Sequence, residues 1–460
     1  MKHLEQYQNI YFLGIGGIGM SALARYFHAQ GKNVSGYDRT ETVLTQLLVR
    51  EGMSIHYVDT ISEIQEQIDL IIYTPAIPKD NQEFQYLEKS GIPMIKRSAA
   101  LGLISQGSKA ICIAGTHGKT TTSTWTTHVL KTGKVDVSAF LGGISVDYGS
   151  NNIIGSSEIV VIEADEYDRS FLQLSPWMAS VSSMDPDHLD IYGDDSSMKE
   201  GFKKFIHLIQ ANGYLIIKKD LLDHLSDSDI KALKDKNVQI IDFGFDDATI
   251  QISNVSIKNG KFVFDYSGLG HEISGIVSNM PGKHNIENAC VAITCGLICG
   301  IEVEDIKVAI SNFKGIQRRF EHIVETSSSI YIDDYAHHPS ELQAAIEAAR
   351  MLYPHKKLTG IFQPHLYSRT RDFADGFAEV LSQLDEVILM DIYPARELPI
   401  DGVSSEIIFD KIANENKLLV TKDQLMTILD HKRFDVLLTL GAGDIDTFVP
   451  KIKKYLESIG

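Results

Sequence analysis

Short apolar runs alternate with amphipathic stretches over the first hundred residues of the chain. Apolar runs of this length predict buried strands, and apolar positions at helical spacing predict helices between them. Strands that alternate with helices form a parallel sheet, so the first block is expected to be an α/β domain. In order, the segments that carry the pattern are NIYFLGIG (9–16), MSALARYFHAQG (20–31), NVSGYD (33–38), a second helical stretch, and DLIIYTPAI (69–77).

The same alternation returns twice further along the chain. A second block opens at Lys109 with an apolar strand, a glycine loop and a helix, and four more strand-to-loop units follow residue 320. Between about residues 212 and 276 the pattern is richer in strands, and NG and SG pairs there indicate hairpin turns. We expect this part to be an antiparallel insertion or edge. The predicted fold class is α/β in three domains, with boundaries that divide the chain into 1–105, 106–320 and 321–460.

Composition and charge agree with this organisation and exclude several classes of protein. The chain has 460 residues, of which 43% are hydrophobic and 23% charged, a composition too apolar for a disordered scaffold. At about 150 residues per domain the length predicts about three domains. The formal net charge of −18 gives no general attraction to nucleic acid or to an anionic membrane. Any anionic ligand therefore has to meet a local positive site.

The cysteines and the amino terminus indicate a cytoplasmic protein. The cysteines lie in apolar stretches and show no paired metal-binding spacing, so we expect buried free thiols in a reducing compartment. The first residues lack the apolar region of a secretory signal, and no run of 18 apolar residues occurs that could insert in a membrane. The cysteines are Cys112, Cys290, Cys295 and Cys299.

The first glycine loop fits the pattern G-x-G-x-x-G. Gly14, Gly16 and Gly19 follow a predicted strand and precede a helix, and Asp38 ends the next strand. Glycine lets the backbone approach a phosphate closely, and a helix amino terminus presents oriented N–H groups to it. That chemistry suits a dinucleotide such as NAD(P) or any other diphosphate. Tight packing between strand and helix, without a ligand, is a further alternative.

The second glycine loop is a shortened phosphate loop. It ends in the sequence G-K-T between an apolar strand and a helix, although position 113, where the full pattern has glycine, is Ile113. Lys119 is expected to contact the β- and γ-phosphates of a nucleotide, and Thr120 to offer its hydroxyl to Mg²⁺. An unliganded turn would leave the placement of both unexplained. The loop residues predicted to bind nucleotide are Gly115, Thr116, His117, Gly118, Lys119, Thr120 and Thr121.

Acidic residues follow two further strands of the central block, where α/β proteins present ligands at the carboxyl edge of the sheet. Clustered carboxylates repel each other unless a cation is present, and oxygen ligands with one imidazole suit Mg²⁺ or Mn²⁺. Helix capping by aspartate would explain one acid at each edge. We expect Glu163 and His188 to be metal ligands. The acidic positions are Glu163, Asp165, Glu166 and Asp168 after one strand, and Asp185, Asp187 and Asp190 around His188 after the other.

With these motifs in order, the chain resembles the Mur ligase family along essentially its full length. Family members of this kind activate the carboxylate of a UDP-sugar with ATP and join it to an amino acid. The resemblance implies a Rossmann-like UDP-sugar domain, an ATP- and Mg²⁺-binding central domain like that of P-loop ATPases, and a Rossmann-like carboxyl-terminal domain. The motifs that carry it are GIGGIGMS, AGTHGKTTT, IEADEYD, DPDHLD, GKHNIENA (282–289), GIQRRFE (315–321), IDDYAHHPSE (332–341) and FQPHLYSRTRD (362–372).

The resemblance implies a role for each candidate residue of the sugar-nucleotide and ATP sites. The first loop would hold the UDP diphosphate rather than NAD. Lys119 would bind the γ-phosphate, Thr120 and Glu163 one Mg²⁺, and His188 a second ion with Glu163. Asn288 would contact adenine, Arg319 a nucleotide phosphate and Asp334 the ribose. The residues implied for the UDP diphosphate are Gly14, Ile15, Gly16, Gly17, Ile18, Gly19 and Asp38.

The same resemblance implies an amino-acid pocket in the third domain. Tyr335, His337, His365 and Arg369 would line it, with His337 and Arg369 among the catalytic residues beside Lys119, Glu163 and His188. The family often has arginine directly after the histidine of the FQPH segment, whereas this chain has Leu366, so we expect Arg369 to bind the carboxylate. On spacing alone, His337 could equally end a strand before a helix whose first turn holds a proline.

Among Mur ligases, FQPHLYSRTRD and IYPARELPIDGVSS (392–405) favour the branch that joins L-alanine to UDP-N-acetylmuramate. The expected reaction consumes ATP with Mg²⁺, or Mn²⁺ in its place, in a monomer or weak homodimer. The alternatives are the branch that recycles muramyl tripeptide, an NAD-dependent oxidoreductase, and a nucleotide-binding regulatory protein. The oxidoreductase leaves the second glycine loop and the acidic strand ends without a role.

Overall fold

The computed structural model describes residues 4, 6–185, 192, 194–258, 260–326, 328–395, 397–430 and 432–459. It contains three β-sheets, each with helices packed on it. By compactness the chain divides into two units. Unit 1 consists of Met1–Ser256, Val263–Ser278 and Glu287–Lys314, and holds the first two sheets; unit 2 consists of Ile257–Phe262, Asn279–Ile286 and Gly315–Gly460, and holds the third.

The first sheet has five parallel strands in the order β3-β2-β1-β4-β5. Its central strands are apolar and buried, as a parallel sheet covered on both faces requires. The pairing of β1 with β2 runs to Leu13 opposite Tyr37, which places Gly14 and Asp38 together at the carboxyl edge. The strands are β1 Asn9–Leu13, β2 Asn33–Tyr37, β3 Ser54–His56, β4 Leu70–Tyr73 and β5 Met94–Lys96. The helices are α1 Ile18–Ala29, α2 Val43–Arg50, α3 Gln82–Glu88 and α4 Arg97–Gln106.

The second sheet has ten strands in the order β15-β14-β13-β12-β11-β10-β6-β9-β7-β8. Its central strands β10, β6 and β9 are parallel, so the loops that follow them lie at one edge. The strands are β6 Lys109–Ala114, β7 Ser138–Ser145, β8 Ser150–Ile153, β9 Ile159–Glu163, β10 Met178–Val181, β11 Tyr214–Lys218, β12 Gln239–Gly244, β13 Ile250–Lys258, β14 Lys261–Gly268 and β15 His271–Ser278. The helices are α5 Lys119–Thr132, α6 Asp195–His207, α7 Asp227–Asp235, α8 Lys283–Ile298 and α9 Val303–Asn312.

The expectation of an antiparallel part between residues 212 and 276 is wrong for its first strands. β11 pairs in parallel with β10, β12 pairs in parallel with β11, and the short contact of β13 with β12 is also parallel. The reason is that α6 precedes β11 and α7 lies between β11 and β12, and such helices return the chain to the same edge of the sheet. The hairpin-like succession is confined to β13, β14 and β15, which are neighbours in both sequence and sheet.

Within unit 1 the first two sheets share one hydrophobic core. Side-chain amides of β8 donate to the backbone of α1, Asn151 to the Ile18 carbonyl at 2.7 Å and Asn152 to the Ala22 carbonyl at 2.8 Å. The rings of Tyr26 and Phe140 lie 5.3 Å apart across the same contact. The helix that begins at the first glycine loop therefore packs directly on the sheet that carries the second.

The third sheet has six strands in the order β16-β17-β21-β18-β19-β20, with β16 antiparallel and the others parallel. Separate hydrophobic cores cover its two faces, as expected for a doubly wound sheet. The strands are β16 Glu321–Glu325, β17 Ile330–Asp334, β18 Leu358–Phe362, β19 Glu386–Met390, β20 Lys417–Val420 and β21 Val436–Leu440. The helices are α10 Pro339–Leu352, α11 Tyr367–Asp372, α12 Ala374–Leu381, α13 Glu406–Phe409, α14 Leu425–Leu429 and α15 Val449–Ile459.

The expectation of buried free thiols is confirmed for three of the cysteines. All four thiols are free, and Cys112, Cys290 and Cys295 are buried while Cys299 is half-buried. Burial raises the pKa of these thiols, which keeps them protonated and unreactive at neutral pH. In the part of the chain that the structure describes, no helix is both long enough and apolar enough to cross a membrane.

Candidate functional site

The second glycine loop connects the buried strand β6 to α5 in a conformation that requires glycine at both ends. Gly115 has φ +138° and Gly118 has φ +79°, values that residues with a side chain rarely adopt. A Cβ at Gly118 would also lie 2.6 Å from Oδ1 of Asn288. The loop therefore turns tightly into the amino terminus of α5, which directs the backbone amides of the first turn toward the open edge of the sheet.

The turn after β10 holds this loop in place. The Ser183 hydroxyl accepts hydrogen bonds from the His117 amide at 2.9 Å and the Thr116 hydroxyl at 3.1 Å, while the Asp185 amide donates to Oγ1 of Thr116 at 3.1 Å. Nε2 of His117 lies 3.4 Å from Oδ2 of Asp185. Ser183 was not among the predicted residues, because a serine at a strand end carries no distinguishing pattern in sequence. Its position beside the loop follows from the pairing of β10 with β6.

Lys119 lies in the centre of this arrangement and is largely buried. Its ammonium donates to the carbonyls of Gly115 at 2.7 Å and Thr116 at 3.3 Å, and to the carboxylate of Glu166 at 2.8 to 2.9 Å. Burial alone would lower the pKa of Lys119, but the charges of Glu166 and Asp165 outweigh it and raise the pKa. Lys119 is therefore a fixed positive charge at the loop, held by Glu166, one of the acidic residues that follow the strand.

Glu163 is the last residue of β9 and faces the first turn of α5. Its carboxylate accepts hydrogen bonds from the Thr120 hydroxyl at 3.1 Å, the Gly142 amide at 2.8 Å and the Ser123 hydroxyl at 3.5 Å. A Cβ at Gly142 would lie 2.1 Å from Oε1 of Glu163, so this strand residue has to be glycine for the carboxylate to fit. Burial raises the pKa of Glu163, and the charge of Lys119 opposes that rise.

These residues offer a donor set that suits a hard divalent cation. Thr120 and Glu163 supply hydroxyl and carboxylate oxygens from adjacent positions, and Asp165 and Glu166 add negative charge beyond what Lys119 neutralises. Within the described ranges, no three His, Cys, Asp or Glu side chains gather into a complete metal site. His188, which sequence analysis predicts as a further ligand, lies outside the described residues together with Asp187 and Asp190.

Asn288 and Thr121 also lie at this loop. The buried Oδ1 of Asn288 accepts a hydrogen bond from Thr122 on α5 at 2.9 Å and lies directly beside Gly118. Thr121 is buried in the first turn of the same helix. The structure thus brings the predicted nucleotide residues of α5 and α8 together within unit 1.

The first glycine loop has its own internal contacts. The amides of Gly14 and Ile15 donate to the Tyr37 carbonyl at 2.8 and 3.1 Å, and the Gly17 amide donates to the Gly14 carbonyl at 3.3 Å. The Gly16 amide donates to the carboxylate of Asp38 at 2.7 Å. An anion bound at this amide has to compete with Asp38 or displace it. Ile18 and Gly19 form the first turn of α1, whose amino terminus faces the same edge of the sheet.

Arg97 is a cation of the first loop that sequence analysis missed. A Cβ at Gly19 would lie 2.5 Å from Nη1 of Arg97, so the guanidinium lies against the first turn of α1. Nη2 of Arg97 is also 3.9 Å from Oδ2 of Asp165, in the acidic turn that holds Lys119 through Glu166. Arg97 begins α4, far from the loop in sequence, and no local motif marks it.

In unit 2, Asp334 is the last residue of β17 and Tyr335 follows it. The Asp334 carboxylate accepts the Phe320 and Ala336 amides, each at 2.7 Å, and burial raises its pKa to about 6 against the lowering effect of Arg319. The guanidiniums of Arg318 and Arg319 lie 5.0 and 5.1 Å from the centre of the Tyr335 ring. Asp334 therefore holds the backbone at the end of β17, and two cations lie close to the Tyr335 ring.

The predicted amino-acid pocket forms one cluster within unit 2. The rings of His337 and Tyr335 lie 5.3 Å apart, and those of His337 and His365 lie 6.0 Å apart. His365 stacks on Tyr393 at 5.8 Å. Burial, together with the neighbouring His337 and Arg369, lowers the pKa of His365 to about 4. Of this cluster, Tyr393 was not predicted, because it comes from the loop after β19.

Leu366, where the family often has arginine, holds a strained backbone beside this cluster. Its φ is +70°, outside the region that leucine ordinarily adopts. The conformation is fixed because the Leu366 amide donates to the Tyr393 carbonyl at 2.9 Å, while the Thr370 amide donates to the Leu366 carbonyl at 3.1 Å. Strain of this kind persists where the surrounding structure determines it, and it often lies at functional sites.

Three family models match successive parts of the chain. "Mur ligase family, catalytic domain" matches residues 9–109, "Mur ligase middle domain" matches residues 113–296, and "Mur ligase, glutamate ligase domain" matches residues 318–443. Together they cover the two glycine loops of unit 1 and the histidine cluster of unit 2.

Curated relatives match over the whole chain. A UDP-N-acetylmuramate--L-alanine ligase of Porphyromonas gingivalis is 46% identical over 98% of this chain and 100% of the relative. A protein of the same name from Flavobacterium psychrophilum is 45% identical over 99% of both chains.

Solved structures share the fold. A UDP-N-acetylmuramate-alanine ligase from Thermotoga maritima superposes with a TM-score of 0.81 at 26% identity, covering 98% of this chain and 100% of that one. A murein peptide ligase from Psychrobacter arcticus superposes with a TM-score of 0.69 at 22% identity, covering 98% and 99% of the two chains.

Proposed function

The chain belongs to the Mur ligase family, and we propose that it joins L-alanine to the carboxylate of UDP-N-acetylmuramate, with ATP converted to ADP and phosphate. The observation that carries this proposal is full-length identity of 43 to 46% to relatives that are named for that reaction. The product, UDP-N-acetylmuramoyl-L-alanine, is a peptidoglycan precursor.

The reaction needs an activated acyl group, because a carboxylate has no leaving group that an amine can displace at neutral pH. Transfer of the γ-phosphoryl group of ATP to the muramate carboxylate supplies one, in the form of an acyl phosphate. The two anions repel each other as they approach. Fixed positive charge and backbone N–H groups at the transferring phosphoryl group lower this cost.

We propose that the second glycine loop binds the ATP phosphates. The residues are Gly115 to Thr121. Lys119 would contact the γ-phosphate after its ammonium gives up the hydrogen bond to Glu166 for one to a phosphate oxygen. Asn288, which lies beside Gly118, would contact the adenine. Support comes from the burial of Lys119 and from the tight turn that aims the α5 amides at the edge of the sheet.

We propose that Thr120 and Glu163 hold one Mg²⁺, and that His188 holds a second ion together with Glu163. When bound, the ion neutralises charge on the phosphate oxygens and orients them. The role of the protein is to fix the Glu163 carboxylate, which the Gly142 amide and the Thr120 hydroxyl do from two sides. Mn²⁺ has the same ligand preferences and is expected to substitute.

We propose that the first glycine loop binds the UDP diphosphate through the amides between Gly14 and Gly19. Arg97, which lies against the first turn of α1, would supply positive charge to the diphosphate. The Gly16 amide would then donate to the diphosphate instead of to the Asp38 carboxylate.

For unit 2, we propose that Tyr335, His337, His365 and Arg369 bind L-alanine, with Arg369 on the carboxylate. Arg319 would contact a nucleotide phosphate and Asp334 the ribose. The support is the cluster of these side chains around the carboxyl end of β17 and β18.

One assay tests the function. Phosphate release is measured with ATP, Mg²⁺ and UDP-N-acetylmuramate, with and without L-alanine, and the expected result is release that depends on both muramate and alanine. Preference for L-alanyl-γ-D-glutamyl tripeptide as the amine substrate would instead indicate the recycling branch. ATP binding without turnover would indicate a regulatory protein, and NADH binding measured in parallel tests the oxidoreductase.

A further inference from the structure

The orientation of His337 fixes which ring nitrogen carries its proton. Nδ1 lies 3.0 Å from the Tyr335 carbonyl and 3.2 Å from Oε2 of Glu341. A carbonyl and an ionised carboxylate are both acceptors and offer no proton. Nδ1 is therefore the protonated nitrogen of neutral His337, and Nε2 carries the lone pair.

Nε2 is available to a ligand. Among the residues that the structure describes, His337 makes no hydrogen bond through this atom, and its side chain is 18% exposed. The rings of Tyr335 and His365 flank it at 5.3 and 6.0 Å, in the cluster proposed to bind alanine. A histidine with a carboxylate on one nitrogen and a free lone pair on the other has the arrangement of a general base.

On the basis of the proposed function, we propose that Nε2 of His337 removes a proton from the ammonium of L-alanine, and that Glu341 is the positioning residue that holds the imidazole for this step. One N–H bond of the ammonium breaks and its electron pair stays on nitrogen. That pair forms the C–N bond to the acyl carbon as the C–O bond to phosphate breaks. The first proton passes to Nε2 and from there to solvent. Attack leaves the nitrogen positively charged with two N–H bonds, and the amide forms when its second proton is lost to the departing phosphate.

The charges around His337 suit this role. Burial lowers the pKa of His337, Arg369 and Arg319 lower it further, and Glu341 opposes them. His365 faces it from the loop after β18 and is neutral at pH 7, because its own pKa is lowered to about 4. The imidazole is therefore unprotonated and able to accept a proton at neutral pH, and Glu341 stabilises the imidazolium that forms.

Glu341 is placed firmly enough to orient the ring. It lies in the first turn of α10, and Oε2 also accepts the His337 backbone amide at 3.0 Å. Oε1 is 3.9 Å from Nη1 of Arg319, and the side chain is only 17% exposed. Glutamine at this position can keep the hydrogen bond to the backbone amide while it removes the negative charge.

The test compares two amine nucleophiles. L-alanine is an ammonium ion at neutral pH and needs a base, whereas hydroxylamine is uncharged and does not. With ATP, Mg²⁺ and UDP-N-acetylmuramate, Glu341→Gln is expected to lower kcat for L-alanine by about tenfold and His337→Gln by about 100-fold, within the range typical of general base catalysis. Both variants are expected to form the hydroxamate at nearly the wild-type rate, which also shows that they are folded.

The pH dependence supplies a second readout. In the wild type, kcat with L-alanine falls on the acid side as His337 becomes protonated. In Glu341→Gln this fall is expected at lower pH, because the carboxylate no longer raises the pKa of His337. Glu341→Asp should recover part of the rate. Glu347→Gln, an exposed position on the same helix, is the matched control and should behave like the wild type.

Equal loss with both nucleophiles in Glu341→Gln, or no loss with either, would overturn the base assignment while leaving the ligase assignment intact. If the fall of kcat at acid pH occurs at the same pH in Glu341→Gln as in the wild type, the base assignment is also overturned. This pH comparison still decides the matter if the wild type ligates L-alanine but does not react with hydroxylamine. If the wild type neither ligates L-alanine nor forms hydroxamate, the proposed function itself fails.

Discussion

The ammonium of Lys119 lies 2.9 Å from Oε1 and 2.8 Å from Oε2 of Glu166, whose side chain is almost fully buried. A phosphate that binds Lys119 has to compete with this carboxylate. The pair thus links nucleotide binding to the acidic turn after β9, which also contains Glu163 and Asp165. The contributions of Lys119 and Glu166 to stability and to activity can be measured separately by mutation.

Lys119→Met is expected to abolish ligation and to lower the free energy of unfolding by about 3 kcal/mol, because it leaves a buried carboxylate without its partner. Lys119→Met/Glu166→Gln should recover most of that stability but none of the activity. Urea unfolding and phosphate release measure the two effects separately. Ligation by the double variant would contradict the assignment of Lys119 to the γ-phosphate.

Gly142→Ala is expected to raise the Mg²⁺ concentration for half-maximal activity by about tenfold, since the added methyl group displaces Glu163. The measurement is a magnesium titration of phosphate release. Gly244→Ala, where the nearest atoms to a Cβ lie 3.6 Å away, is the control. An unchanged titration in Gly142→Ala would remove Glu163 from the proposed metal site.

Gly16→Ala should raise the KM for UDP-N-acetylmuramate and leave the KM for ATP unchanged. The new Cβ would lie 2.8 Å from Oδ2 of Asp38 and 2.7 Å from Cγ2 of Thr45, so the loop amides have to shift. Loss of one charge-assisted hydrogen bond corresponds to a rise of about tenfold in KM. Equal rises for both substrates would indicate general damage to unit 1 instead.

Arg369→Ala is expected to raise the KM for L-alanine by about 10- to 100-fold, since it removes a charge-assisted hydrogen bond to the carboxylate. Arg371→Ala on the same helix is the matched control, because Arg371 is exposed and pairs with its neighbour Asp372. Steady-state kinetics with each substrate varied in turn give the KM values of the Arg369→Ala and Arg371→Ala variants for comparison. A rise in KM for all three substrates would point to a folding defect.

Acid should destabilise unit 2 through His365. Its pKa is lowered to about 4 in the folded protein, so the unfolded chain binds more protons between about pH 6.5 and 4. Stability is therefore lost as pH falls through this range, by about 2 kcal/mol once partial solvent exposure is allowed for. His365→Gln should flatten this part of the curve of unfolding free energy against pH. His271→Gln, at an exposed histidine of β15, should not.

The sheets and their loops could be predicted because their signals are local. An apolar run followed by glycine and an amphipathic helix describes β1 with α1 and β6 with α5, whichever residues pack on them. The apolar run that ends in acidic residues likewise predicted that Glu163 lies at the end of a strand. Family resemblance then grouped Tyr335, His337, His365 and Arg369, which the structure places in one cluster.

The partners of these residues could not be predicted, because tertiary packing determines them. Glu166 is one of several acids after the same strand, and nothing in the sequence marks it as the partner of Lys119. Arg97 reaches the first loop from α4, and Gly142 supplies an amide to Glu163 from a neighbouring strand. The parallel direction of β11 and β12 was not predicted either. The turn signals near residue 260 were applied to the whole region, although a helix precedes each of these two strands.

The shared core of the first two sheets has a consequence for how the protein can be divided. A fragment that ends at Gln106 would expose the apolar surface of α1 that packs on β7 and β8, including Tyr26, and would lose the amide contacts from Asn151 and Asn152. Such a fragment is expected to aggregate when expressed alone. Production of an isolated sugar-nucleotide module for screening should therefore retain the central sheet, with the chain cut no earlier than residue 314.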